Sequence, residues 1–151
     1  MTARMINVLS PVEKEAIARV RAWRLSSDHE ARRFLQAPTH LMHSLIRIYH
    51  GHVKLRLGPI AAELGVEMRS LERSFVDEFG KTMLGHQTEA RLEFSKVQLR
   101  LQPRPKLSVI ANLLGYEDVR GWARFFKQHV GESPSAWGRS VPGDTSHQRL
   151  C

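Results

Sequence analysis

Four arginines recur in register. Arg69 and Arg73 stand four residues apart, and Arg120 and Arg124 repeat the pair 51 residues later. A guanidinium is a planar fork of donors that stays charged. It can grip two acceptors at once on a carboxylate, a phosphate or the edge of a guanine. One such pair on one helix is ordinarily a solvated face. Two pairs at equivalent places are what a surface that grips a repeating polyanion needs.

Other reactive side chains offer less. His40, His43 and His50 fall at helical offsets with His52 just beyond, and imidazoles at i and i+3 can share a metal ion. No carboxylate or cysteine adjoins them in sequence, so a polar helix side is the expectation. Cys151 is the only cysteine and the last residue, so no intrachain disulfide can form. No Gly-rich phosphate loop, G-x-S-x-G or H-E-x-x-H is present. No enzyme activity, cofactor or metal is therefore expected.

The chain of 151 residues carries a net charge of +8 at pH 7. A basic balance favours a polyanionic partner. Residues 1–55 hold 9 Lys or Arg against 4 Asp or Glu, and residues 56–140 hold 13 against 10. The arginine-bearing region is thus only mildly basic. No apolar run approaches a membrane span of about 18 residues. With no signal peptide evident, a cytoplasmic protein is expected.

Elements with helical periodicity position the arginines. Leu64–Gly80 and Leu114–Gly131 are two copies of one pattern. Ala61 and Ala111 are 50 apart, as are Gly65 and Gly115. Phe75 and Phe126 are 51 apart, as are Gly80 and Gly131. Each copy has a short apolar helix, a glycine suited to a left-handed cap, and an amphipathic helix. Leu71, Phe75 and Phe79 mark the inward face of one; Trp122, Phe126 and Val130 mark the other. This is the grammar of a helix-turn-helix. Met68, Arg69, Glu72, Arg73 and Val76 then point away in the first copy, and Val119, Arg120, Ala123 and Arg124 in the second.

The remaining chain also reads as helix, and no segment alternates at period two, so the expected fold is all-α. Ser10-Pro11-Val12-Glu13 opens a helix running to about Arg24, with Ile17, Val20 and Leu25 inward. Asp28 caps a short helix over 29–36, with Trp23 and Phe34 packing this region. Ala37-Pro38 marks a boundary. Thr39 caps a helix to about Gly51, with Leu41 or Met42, Leu45, Ile48 and Tyr49 inward. Pro59 opens the first unit at N1. A long helix over about 82–101 follows, with Leu84, Arg91, Leu92, Ser95 and Leu99 on its packing side. Ser133 or Ser135 caps a last turn that tucks Trp137 inward. Residues 1–37 form a helical extension, 38–140 the main domain, and 141–151 a flexible tail.

Leu41 to about Arg139 resembles the DNA-binding domain of the AraC/XylS family of bacterial transcription regulators. The resemblance rests on Ile110-Ala111-x-x-Leu114-Gly115-Tyr116, then Phe126-Lys127, then Gly131-x-Ser133-Pro134-x-x-Trp137. It implies two helix-turn-helix units, at about 57–80 and 107–131, joined by a linker helix at about 82–101. It further implies recognition helices entering successive major grooves of double-stranded DNA. Base-edge contacts carry over to Arg69, Glu72, Arg73, Arg120, Gly121 and Arg124. Arginine can pair with guanine, glutamate can accept from cytosine N4, and Val119 and Ala123 can touch a thymine methyl. Phosphate contacts fall on helix N-termini, Ser70, the Glu117 backbone and Lys127. Glu72 could instead hold Arg69 or Arg73.

Such regulators usually activate transcription through RNA polymerase, though some repress. The first 37 or so residues are too few for the ligand-binding module many members carry, so a short stand-alone form, or a fragment, is expected. The sequence departs from the family with Ser95 for a usual alanine, His86 for a usual aromatic, Gly121 in the second recognition helix, and Gly138 before Arg139. The alternative is a protein–protein adaptor docking on RNA polymerase or another regulator, with only non-specific DNA affinity. The N-terminal helices suit either packing on the first unit or a homodimer interface.

Overall fold

Proline and glycine punctuation divides the chain into helices that begin and end near the expected places. The computed structural model describes residues 8–26, 28, 29, 33 and 37–140. Among these residues the secondary structure is helical throughout, in eight α-helices. They are α1 (Pro11–Leu25), α2 (Pro38–Ile48), α3 (Leu57–Leu64), α4 (Met68–Phe79), α5 (Met83–Arg100), α6 (Leu107–Leu113), α7 (Val119–Val130) and α8 (Pro134–Ser140). The short helix expected over 29–36, the packing of Phe34 and the tail from Val141 onward lie outside the described residues, apart from His29 and Arg33. The chain divides into two compact units, residues 1–87 and 88–151, with α5 contributing its first turn to one and its remainder to the other.

In the first unit, α1 opens on a complete capping box. Ser10 Oγ accepts from the Glu13 N–H at 3.3 Å, and Glu13 Oε1 accepts from the Ser10 N–H at 2.8 Å. The same carboxylate reaches across the chain. It accepts from the backbone N–H of Arg56 at 2.9 Å and from its Nε at 2.8 Å and Nη2 at 3.0 Å. Arg56 is the N-cap residue of α3, so one buried carboxylate ties the starts of two helices together. Burial alone would raise the Glu13 pKa. The Arg56 guanidinium and the backbone N–H groups of Ser10 and Arg56 outweigh it and hold the pKa at about 2. Further along, Arg21 Nε donates to Glu63 Oε1 of α3 at 2.7 Å, which holds α1 along α3.

Several expectations need correction here. Leu25 is exposed rather than inward. On α2 the buried row is Leu41, Met42, Leu45 and Ile46, and Ile48 is exposed. Thr39 does not cap α2; the N-cap is Ala37, and buried Thr39 donates its hydroxyl to Glu78 Oε2 of α4 at 2.6 Å. Helix α3 starts at Leu57, which puts Pro59 at N3 instead of N1, still in the turn whose N–H groups lack intrahelical partners. The histidines on α2 do meet a carboxylate: His40 Nε2 pairs with Glu78. His43 stacks on Phe79, with centroids 4.5 Å apart, and meets His86 edge-on at 5.2 Å. His86 therefore stands among Phe75, Phe79 and His43, doing the packing of the aromatic usual there. Among the described residues, no three metal-ligating side chains gather.

On α5 the buried row is Met83, Gln87, Ser95 and Leu99, with half-buried Arg91 between, all in four-residue steps. Leu84 lies off that row and is exposed. In the second unit Leu99, Ile110, Ala111, Leu114, Trp122 and Phe126 make the core. Ser133 caps α8 by accepting from the Ala136 N–H at 3.1 Å, and Trp137 meets Phe126 edge-on at 5.8 Å. Gly138 has a steric reason. The Arg104 guanidinium lies 3.1 Å from where its Cβ would be and donates to its carbonyl at 2.7 Å.

Ser95 also has a local reason. Its Oγ accepts from Trp122 Nε1 at 3.0 Å and donates to the Arg91 carbonyl at 2.7 Å. Alanine here would strand a buried indole N–H. Ser95→Ala is expected to cost about 1–3 kcal/mol, and the double variant with Trp122→Phe should lose less than the sum of the two single variants, because no donor is then left stranded. Urea denaturation of the two single variants and the double variant checks this; additive losses would contradict the pairing.

Candidate nucleic-acid interface

The two helix-turn-helix units are built on matching turns. In the first, Gly65 takes φ 69°, its N–H donates to Ala62 O, and the Val66 N–H donates to Ala61 O at 3.0 Å. In the second, Gly115 takes φ 91°, its N–H donates to Asn112 O, and the Tyr116 N–H donates to Ala111 O at 3.0 Å. Both follow the pattern that ends a helix and turns the chain sharply, with glycine at the left-handed position. Helices α4 and α7 then leave the turns. Leu71 and Phe75 anchor α4, and Trp122 and Phe126 anchor α7, all fully or almost fully buried. Gly80 and Gly131, at φ 76° and 94°, close the two helices alike.

With those faces buried, the expected reading residues divide clearly. Arg69, Ser70, Glu72 and Arg73 on α4 are exposed, as are Arg120, Arg124 and Lys127 on α7. Met68, Val119, Gly121 and Ala123 are half-buried. Two of these differ from expectation. Val119 packs against the core of its unit, and Met68 lines a groove with Leu57, Val76 and Met83. Each precedes a buried aromatic by seven residues, about two helical turns, so each sits on the inward side. Among the described residues Glu72 forms no ion pair with Arg69 or Arg73 and lines that same groove.

The helix openings differ. Asp118 caps α7, its Oδ1 accepting from the Gly121 N–H at 3.0 Å, whereas Glu67 at the start of α4 makes no such bond. That bond is the main reason the Asp118 pKa lies below its ordinary value. Arg120 Nη2 is 3.6 Å from Asp118 Oδ2, with the arginine side chain 88% exposed, so the guanidinium remains free to turn outward. The sequence reading passed over Asp118, although an aspartate just before a helical run is an N-cap signal.

Two units, each a helix, a glycine turn and an amphipathic helix with an exposed arginine pair, define a double helix-turn-helix domain of the DNA-binding kind. Residues 60–140 match the helix-turn-helix domain family of the AraC type, and the chain belongs to this AraC/XylS family. The fold and the family are those of transcription regulators. The chain is 27% identical over 126 residues to a probable thc operon regulatory protein of Rhodococcus erythropolis, an alignment covering 78% of this chain and 38% of that protein. It thus spans less than half the length of that relative. Its fold resembles the C-terminal domain of AraT, a response regulator from Geobacillus stearothermophilus, with a TM-score of 0.62 and 23% identity over 72% of this chain and 88% of that one. It also resembles the DNA-binding domain of AdpA in its complex with target DNA, with a TM-score of 0.59 and 16% identity over 75% and 96% of the two chains. Among the described residues, no helix is long and apolar enough to cross a membrane.

Proposed function

We propose that the chain recognises a specific duplex sequence, reading two successive major-groove segments with α4 and α7, and activates transcription together with RNA polymerase. Arg69, Arg73, Arg120 and Arg124 are the base readers, with Glu72 as an acceptor for cytosine N4. The small Ala123 side chain allows close approach of α7 to the bases. Ser70, Lys127 and the helix N-termini hold phosphates. Residues 38–140 form the DNA-binding domain, and α1 supports it by packing on α3.

One observation carries this reading: the only features repeated on the exposed sides of both helices at the 51-residue offset are the two arginine pairs. Each pair is backed by buried large apolar side chains that fix its helix. Titration against selected and random duplexes over a range of salt concentrations tests it. A specific reader should prefer its selected site by about 10³-fold or more. Equal affinity for both would favour an adaptor docking on another protein. Arg73→Ala and Arg124→Ala should each cost about 1–3 kcal/mol on the selected site and relax one base position, measured by gel-shift titration.

A further inference from the structure

The two units differ along one flank of their second helix, and that flank is gripped only in the second. Val66, Ser70 and Ser74 occupy it in the first unit, where Tyr116, Gly121 and Phe125 stand in the second. The Arg91 guanidinium lies over the Phe125 ring, 4.7 Å from its centroid, and its Nη1 donates to Tyr116 Oη at 3.4 Å. Tyr116 and Phe125 pack at 6.2 Å. The Tyr116 ring also fills the space beside residue 121. A Cβ there would come within 3.2 Å of Tyr116 Cδ1, so glycine leaves room for the ring beside the first turn of α7.

Residues 121 and 125 are one helical turn apart on the same flank of α7, beside the face that bears Arg120 and Arg124. Trp122 and Phe126 set how deeply α7 sits in its unit. A contact on the flank sets something else, the rotation of the helix about its own axis. That rotation decides which base edges two arginines one turn apart can reach.

We infer that Arg91 and Tyr116 are positioning residues that fix the roll of α7, and so determine base preference without touching DNA. The inference rests on the reading function proposed above. Gly121 serves the same device by admitting the Tyr116 ring. Among the described residues the α4 unit, with exposed serines on the matching flank, has no such grip.

Selection of bound duplexes from random DNA by the whole chain tests this, with Arg124→Ala first identifying the half-site that α7 reads. In Arg91→Met and Tyr116→Phe, discrimination at one or more bases of that half-site should fall about tenfold. The half-site read by α4 should keep its preferences, and the melting temperature should change little for Tyr116→Phe, which loses only a hydroxyl. A merely structural role would weaken both halves together and in step with stability. Unchanged preferences, or equal loss in both halves, would overturn the inference. If Arg91→Met does not fold, Tyr116→Phe alone decides between these results. A wild-type chain with no base preference in either half would overturn the reading function, and the positioning role with it.

Discussion

Glu13→Ala is expected to destabilise the first unit by about 2–4 kcal/mol, because it removes a buried carboxylate that accepts several charge-assisted and backbone hydrogen bonds, although its arginine partner is half exposed. The carboxylate is fully buried and accepts from Ser10 N–H and from three nitrogens of Arg56. Its loss removes one half of the capping box of α1, Ser10 Oγ still accepting from the residue 13 N–H, and leaves the N-cap residue of α3 without its main acceptor. Small domains have only about 5–15 kcal/mol in total, so this single change consumes a large share. Acid should act through the same group. Its folded pKa of about 2 lies below the ordinary 4.5, so its contribution is complete above about pH 4.5 and is lost as pH falls toward 2. The shift corresponds to about 3 kcal/mol. Urea midpoints of the wild-type chain and Glu13→Gln, followed from pH 7 to 3, should converge in that window. A constant difference between them would contradict the assignment.

The second large effect concerns binding. Arg73→Ala and Arg124→Ala combined should cost about 2–6 kcal/mol on the selected site, because changes in separate units with no shared partner add. The upper end of that range exceeds 10⁴-fold and approaches loss of specificity. Both guanidinium groups are exposed, so thermal unfolding should be nearly unchanged. Lys127→Ala offers the contrast. A phosphate contact should weaken every sequence alike and lower the salt slope by about one. A double arginine variant that retained its selected site over random DNA would place the readers elsewhere.

Much of the fold is legible in the sequence. The repeat, at 50 residues through the turns and 51 along the second helices, locates both turns and both inward faces, because a buried side recurring every three or four residues leaves a direct trace in sequence. The Ser10 box was legible for the same local reason. Its energetic importance was not, since Arg56 lies 43 residues from Glu13 and nothing local links them. Likewise the spacing from Arg91 and Leu92 points to Leu84, seven residues before Arg91, while the four-residue steps back from Leu99 reach Met83 instead. Val119 and Met68 were assigned outward from their neighbours, although the seven-residue step to an aromatic points the other way. Ser95 looked like an oddity until Trp122 came to lie against it. The flank held by Arg91 could have been suspected only by asking which repeat positions had diverged, and why a glycine stood opposite a serine.

The bonds that form the two turns run from the main chain at Val66 and Tyr116 to the carbonyls of Ala61 and Ala111. None involves an exposed side chain of α4 or α7. On the proposed reading function, the turns and the exposed base readers are therefore separately mutable, and one half of a target sequence could drift while the other is kept. Descendants of this chain could acquire new binding sites by a few surface exchanges at a time, without first passing through an unfolded intermediate.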